Sequence, residues 1–225
     1  MSKGDPSATP TGQGTGGEAR LPRASAARFS LYLRRLQTLH QAGTSTVSSG
    51  QLGDALGITD TQVRKDLAKL GNLGHPGIGY PTAELIAALR RKLGLDREWS
   101  VLIVGAGNLA RALLRYRGFQ QQGFRITALV DSDPAKIGQR VDGLVIQPIA
   151  ELSAVVARTG AELGLLTVPS EAAQEVADAL VAAGIRGILN FAPVVLRLPR
   201  QVRLVTVDLA VQLEQLAFLV QWSGE

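Results

Sequence analysis

Val101-Leu102-Ile103-Val104-Gly105-Ala106-Gly107-Asn108-Leu109-Ala110 decides how this 225-residue chain is read. Four apolar residues in a row suit a strand buried on both faces, and a helix-forming stretch, Leu109–Tyr116, follows the glycines. A strand, a glycine-rich turn and a helix in that order form the phosphate-binding fingerprint of a dinucleotide fold. Gly105 permits the tight turn and Gly107 lets a pyrophosphate approach the backbone. Ala110 takes the third, small position, where helix meets strand. Ala106, Asn108 and Leu109 complete the loop, and the helix N-terminus offers unpaired N–H groups to phosphate. A second strand, Ile126–Val130, ends on Asp131, about 20 residues beyond the fingerprint, where a carboxylate can accept from adenine-ribose hydroxyls. Such a carboxylate repels a 2′-phosphate, so NAD and NADH are expected rather than their phosphorylated forms. Asp133, just before Pro134, is expected to act as an N-cap, with a share in the ribose role as the alternative.

Downstream, the apolar runs Leu144–Ile146, Leu163–Val168, Ile185–Asn190 and Val202–Val207 read as strands, with helices at Ile149–Arg158 and Ser170–Ala183. This alternation predicts an α/β, doubly wound parallel sheet over residues 95–207. The final stretch, Leu209–Trp222, carries Leu209, Val211, Leu213, Leu216, Phe218, Leu219, Val220 and Trp222. That is more apolar surface than one helix face needs, so residues 208–225 are expected to pack on another subunit.

Upstream the rhythm is different. Residues 1–24 are rich in Gly, Ser, Thr, Pro and Ala, a composition that cannot bury enough surface to order itself, and are expected to be a disordered tail. From residue 25 a helical stripe (Phe29, Tyr32, Leu33, Leu36, Leu39) runs to Gly43. Ser48…Gln51 and Thr59…Gln62 each read as capping boxes opening short helices. Helix, glycine-containing turn and helix make a helix-turn-helix. The second helix buries Val63, Leu67 and Leu70 and leaves Gln62, Arg64, Lys65 and Lys69 for DNA. Gly71–Tyr80, with four glycines, reads as a wing, with His75, Gly77 and Tyr80 as its contacts. A last amphipathic helix, with Leu85, Ile86, Leu89 and Leu93 inward, closes a winged-helix domain over 25–94.

The charge agrees with this division. Residues 1–95 hold 12 Lys/Arg against 6 Asp/Glu, whereas residues 96–225 hold 12 against 13. The basic excess lies wholly in the part that reads as DNA-binding. The chain has no cysteine, which excludes disulfides and thiolate chemistry, and no metal site is expected. No apolar run approaches the ~20 residues a membrane span needs, so a cytoplasmic protein is expected. Both histidines, His40 and His75, lie in the N-terminal part, and Lys136 is the one lysine after residue 95. A dehydrogenase usually places a proton donor or acceptor beside the nicotinamide. None is evident, so the second domain reads as built to hold a dinucleotide without turning it over. An NAD-dependent oxidoreductase with an accessory nucleic-acid-binding domain is the alternative, and a regulator tuned to a CoA-type effector is a second.

Several stretches together resemble the bacterial redox-sensing repressor family Rex over roughly residues 25–222: Val63-Arg64-Lys65-Asp66-Leu67, the Gly71–Tyr80 wing, Gly105–Ala110, Val168–Gln174, Gly187–Val194 and Val207–Ala210. The resemblance implies a homodimer with exchanged C-terminal helices and an NADH site deep between the cofactor domains. It places the nicotinamide near Tyr116, Thr167, Pro169, Asn190, Phe191 and Ala192. It also implies that Arg34 and Asp208 of the other subunit couple the two domains, and that operator DNA is released when NADH rises. Two departures stand out: Ala110 where a third glycine is usual, and His75-Pro76 where a basic pair is common in the wing.

Overall fold

The computed structural model describes residues 22–222. The chain divides into two compact units, Met1–Leu93 and Gly94–Glu225. Residues 1–21 of the expected tail lie outside the described residues. Arg23 and Ala24, assigned to the tail on composition, belong instead to the first helix.

In the first unit, α1 (Arg23–Gln41) buries Phe29, Tyr32, Leu33 and Leu36, the stripe expected from their spacing. β1 (Thr46–Val47) leads into α2 (Ser49–Asp54). Here the capping box is complete: Ser48 Oγ accepts from Gln51 N, and Gln51 Oε1 accepts from Ser48 N. α3 (Asp60–Leu67) has only half of one. Thr59 accepts from Gln62 N, but the return bond from the Gln62 side chain to the cap is not made. A 3₁₀ turn, Ala68–Leu70, ends α3, and Leu70 is half-buried. β2 (Tyr80–Pro81) pairs antiparallel with β1, and α4 (Thr82–Leu93) buries Leu85, Ala88 and Leu89. Ile86 and Leu93, expected inward, are half-buried, whereas Thr82 and Ala88 are buried on this helix.

The second unit is built on one sheet. Its strands are β3 (Trp99–Val104), β4 (Phe124–Asp131), β5 (Arg140–Val141), β6 (Leu144–Pro148), β7 (Leu163–Leu166), β8 (Gly187–Asn190) and β9 (Arg203–Thr206). Their order is β5-β6-β4-β3-β7-β8-β9, and every neighbouring pair is parallel except β5 with β6. Chain order therefore reverses between β3 and β7, the switch point at which doubly wound sheets bind ligands. The helices are α5 (Asn108–Arg115), α6 (Arg117–Gln121), α7 (Leu152–Thr159), α8 (Ser170–Ala182) and α9 (Leu209–Trp222).

Alternation along β3 sorts the layers. Leu102 and Val104 face the core made with α7 and α8, and Val101 and Ile103 face the one made with α5 and α6. The edge strand β5 and the helix α6 were not anticipated, being too short to show a period. At the open end of β3, Arg97 and Arg186 both pair with Glu162, and Arg97 also lies 3.7 Å over the Trp99 ring. No residue of α9 is buried, and Leu213, Phe218, Val220 and Trp222 are each more than 60 % exposed.

Candidate functional sites

The loop between β3 and α5 is shaped by two glycines with different constraints. Gly105 has φ +97°, and a Cβ there would lie 2.6 Å from the Thr167 carbonyl oxygen. It is required by the fold itself. Gly107 has an ordinary φ of −84°, and a Cβ there would meet nothing within 4 Å. Its lack of a side chain leaves room for something outside the protein. Gly107 caps α5, and the first intrahelical bond runs from Arg111 N to Gly107 O. The amides of Asn108, Leu109 and Ala110 therefore have no acceptor within the helix. Asn108 and Leu109 are exposed, whereas Ala106 and Ala110 are buried. Ala110, packed against β3, has the room a third glycine would otherwise leave.

Asp131, 6 % exposed, stands at the end of β4 beside this loop. Its carboxylate accepts from Ala106 N at 2.6 Å, Asp133 N at 2.8 Å and Lys136 Nζ at 3.2 Å. Burial pushes the carboxyl up, but the two amides and the ammonium outweigh it, so Asp131 sits below its ordinary range. Asp133 caps the turn after it by accepting from Ala135 N. These groups border a cleft of about 790 Å³ that Gly105, Gly107, Asp131, Thr167 and Pro169 all line. Its far wall is apolar: Ile149, Ala150, Val168, Ala172, Val176 and Ala179. A polar rim that includes the buried Asp131 carboxylate, open helix amides and an apolar slot fit a nucleotide's ribose, phosphates and base in turn.

Asn190, Phe191, Ala192 and Tyr116, also named by resemblance, do not line this cleft. Asn190 is fully buried, and its amide is engaged within its own loop. Nδ2 donates to Ala192 O and Val194 O, and Oδ1 accepts from Ala192 N. It shapes the loop and has no free amide for a ligand. Phe191 packs on the β3 core, and Ala192 is buried. Tyr116 is 49 % exposed, stacks edge-on against Phe119, and borders a separate hollow of about 270 Å³. Thr167 donates to Val104 O and Gly105 O, which locks the glycine loop onto β7. Lys136 is the group sequence reasoning undervalued. Its signal was the Asp131…Lys136 spacing across a capped turn, which returns the side chain to the carboxylate.

In the first unit, Arg64 and Lys65 are exposed on α3, with Arg64 in a 2.7 Å pair with Asp60 one turn back. Such an exposed helix pair is weak and easily exchanged for another anion. The wing is a tight hairpin in which His75 N and Gly79 N exchange bonds with each other's carbonyls. His75 and Gly77 are exposed and Tyr80 is half-buried. Gly79 has φ +98°, and a Cβ there would strike the Val47 carbonyl. Lys69, expected to face DNA, is exposed and also donates at 2.9 Å to Asp66 Oδ1 and at 2.9 Å to Ser25 Oγ. Gln62 is half-buried on α3. Arg34 is exposed on α1, and Asp208 Oδ1 caps α9 by accepting from Ala210 N and Val211 N.

Comparison with known proteins agrees with both halves. Residues 20–68 match the family model "Putative DNA-binding protein N-terminus", and residues 96–194 match the "CoA binding domain" model. A winged helix-turn-helix joined to a nucleotide-binding sheet defines a ligand-responsive transcriptional regulator. The chain is 45 % identical over 201 residues to the redox-sensing transcriptional repressor Rex of Desulfitobacterium hafniense, covering 89 % of this chain and 96 % of that one. It is 44 % identical over 198 residues to the Rex of Streptomyces coelicolor, covering 88 % and 77 %. It also superposes on RSP, a Rex-family repressor, in two crystal structures. In the complex with β-NAD⁺ and operator DNA the TM-score is 0.84 at 33 % identity, covering 89 % of this chain and 92 % of that one. In the complex with β-NADH it is 0.81 at 32 % identity, covering 89 % and 94 %. The chain belongs to the Rex family of redox-sensing transcriptional repressors, a family of regulators and not of enzymes. Among the described residues no helix is long and apolar enough to cross a membrane.

Proposed function

We propose that two copies of this chain bind a palindromic operator in the cytoplasm when NADH is scarce, and that NADH bound in the second unit releases them. The observation that carries the cofactor half is the pairing of Gly107, open where a phosphate would lie, with Asp131, held rigid and still able to accept. In this reading the Asn108–Ala110 amides hold the pyrophosphate, Asp131 takes the adenine ribose, and the Ile149–Ala179 wall takes the base. Thr167, Pro169 and the loop shaped by Asn190 and including Phe191 and Ala192 form the nicotinamide end. Tyr116 joins it only where a second copy closes over it. The bound dinucleotide supplies a ring that is cationic when oxidised and neutral when reduced; an apolar surround disfavours the unpaired cation.

On the DNA side, Arg64 and Lys65 are the base-edge readers, because both can donate to guanine O6 and N7. His75, Gly77 and Tyr80 place the wing on the flanking backbone. The exposed apolar surface of α9 supports a homodimer in which each copy covers the other's helix. A two-fold dimer then reads half-sites about one helical turn, or a multiple of it, apart. Arg34 and the other copy's Asp208 are the proposed couplers; both are polar groups outside the cores. The domain limits that go with this function are 25–94, 95–207 and 208–225.

Calorimetric titration of the full-length protein with NADH, NADPH and coenzyme A tests the cofactor assignment. The account expects saturable NADH binding at least tenfold tighter than either alternative, since one tenfold step is about 1.4 kcal/mol and a repelled 2′-phosphate costs at least that. Preference for coenzyme A would replace NADH as the effector. Linkage adds a second readout: operator DNA must weaken NADH binding by the factor by which NADH weakens operator binding.

A further inference from the structure

α1 and α3 meet around a single carboxylate. Asp66 has no exposed surface, and its oxygens take Arg28 Nε at 2.5 Å, Arg28 Nη2 at 2.9 Å, the Tyr32 hydroxyl at 3.2 Å and Lys69 Nζ at 2.9 Å. Lys69 also donates to Ser25 Oγ, and Ser25 is itself 3 % exposed. α3 is only eight residues long, and its apolar anchors are Val63 and Leu67. A helix that short does not hold itself. Two aliphatic side chains give it burial but fix its rotation poorly, because apolar contact is not directional. A planar guanidinium bonded to both oxygens of one carboxylate does set an angle.

We propose that Asp66 and Lys69 are positioning residues of the recognition helix, fixing its rotation on α1 through Arg28, Tyr32 and Ser25, and that Lys69 makes no phosphate contact of its own. This rests on α3 being the groove-reading helix. Lys69 belongs to the helix by sequence and to the α1 junction by contact. Arg28 and Lys69 share the one Asp66 charge, but the Lys69 ammonium is held on Asp66 and Ser25 and bonds no phosphate directly.

The test is the salt dependence of binding by the full-length protein, measured on an operator duplex and on a scrambled duplex of equal length. Lys69→Met weakens operator binding about tenfold, leaves scrambled-duplex binding unchanged and leaves the slope of log K against log salt as in the parent; loss of a phosphate contact would shift that slope by about 0.9. Asp66→Asn does the same to a larger degree and leaves NADH affinity unchanged. Where Asp66→Asn costs the first unit its fold, Lys69→Met alone decides. A slope reduced by about 0.9, with both duplexes weakened equally, makes Lys69 a phosphate ligand and overturns the proposal. Lys65→Met is the control. As a base-edge reader it must weaken operator binding; if it leaves both duplexes unaffected, α3 is not the DNA face, and that reading falls first and the proposal with it.

Discussion

Among the described residues each unit of this repressor buries one aspartate, and the two are treated differently. Asp66 receives four bonds from the side chains of Arg28, Tyr32 and Lys69, as many as a carboxylate's lone pairs accommodate. Asp131 receives three, two from backbone amides and one from Lys136, and it borders a cleft. Backbone donors cannot move away, so Asp131 is fixed whether or not a ligand is present. Its remaining acceptor and the partly exposed Lys136 are what a ribose can engage. A saturated carboxylate holds two helices together, whereas an unsaturated one on a rigid strand end is equipped to bind. Burial alone would have ranked the two the other way, since Asp66 is the more deeply buried.

The comparison can be broken most forcefully at Asp66. Asp66→Ala leaves Arg28 and Lys69 without their partner and is expected to cost the first unit about 3–5 kcal/mol, the usual penalty for removing one side of a buried pair. Urea unfolding followed by helical signal reads this, and NADH affinity should not move. Asp131→Asn should have the opposite profile. Loss of a charged acceptor weakens NADH by about 1.5–3 kcal/mol, on the order of ten- to a hundredfold, with operator binding in the absence of NADH retained. If Asp131→Asn instead abolished DNA binding in the absence of any dinucleotide, it would be structural like Asp66.

The smallest effect belongs to Tyr32. Tyr32→Phe removes one neutral donor to Asp66 and is expected to cost about 1 kcal/mol near neutral pH. Its pH dependence sharpens the assignment. Burial, and then the Asp66 charge, push the Tyr32 phenol from its ordinary 10.0 up to about 12. A raised value in the folded state means its contribution is whole below pH 10.0 and is lost as pH rises through about 12. Asp66 is held well below its ordinary 3.8: burial pushes it up, but the Arg28 and Lys69 bonds outweigh this, so its contribution disappears only in strong acid. A stability profile of the parent should therefore fall between about pH 10 and 12, and that fall should vanish in Tyr32→Phe.

Much of this was legible in the sequence because two periods are strong. The four apolar residues Val101–Val104 followed by Gly105 and Gly107 specify strand, turn and helix together, and Asp131 follows at the fingerprint's spacing. Ser48 and Gln51 announced α2 correctly. Thr59 and Gln62 fit the same pattern but form half a box, with a buried carboxylate, Asp66, one turn further on. That carboxylate was readable in principle: Val63, Asp66, Leu67 and Leu70 share one helical face, so the period places Asp66 inward. What hid it was the habit of assigning acidic residues to solvent. The contacts of Lys69 were not readable, since its partners Asp66 and Ser25 are brought to it only by the packing of α1 on α3. Short pieces such as β5 and α6 carry too few residues for any period to show.

The central claim is that one chain reads DNA and reports the NADH balance. The most direct measurement titrates a labelled palindromic duplex with the full-length protein in the presence of saturating NADH and, separately, of NAD⁺. The account predicts operator affinity at least about tenfold weaker with NADH, a coupling of about 1.4 kcal/mol. Equal affinity in the two cofactor forms would contradict it.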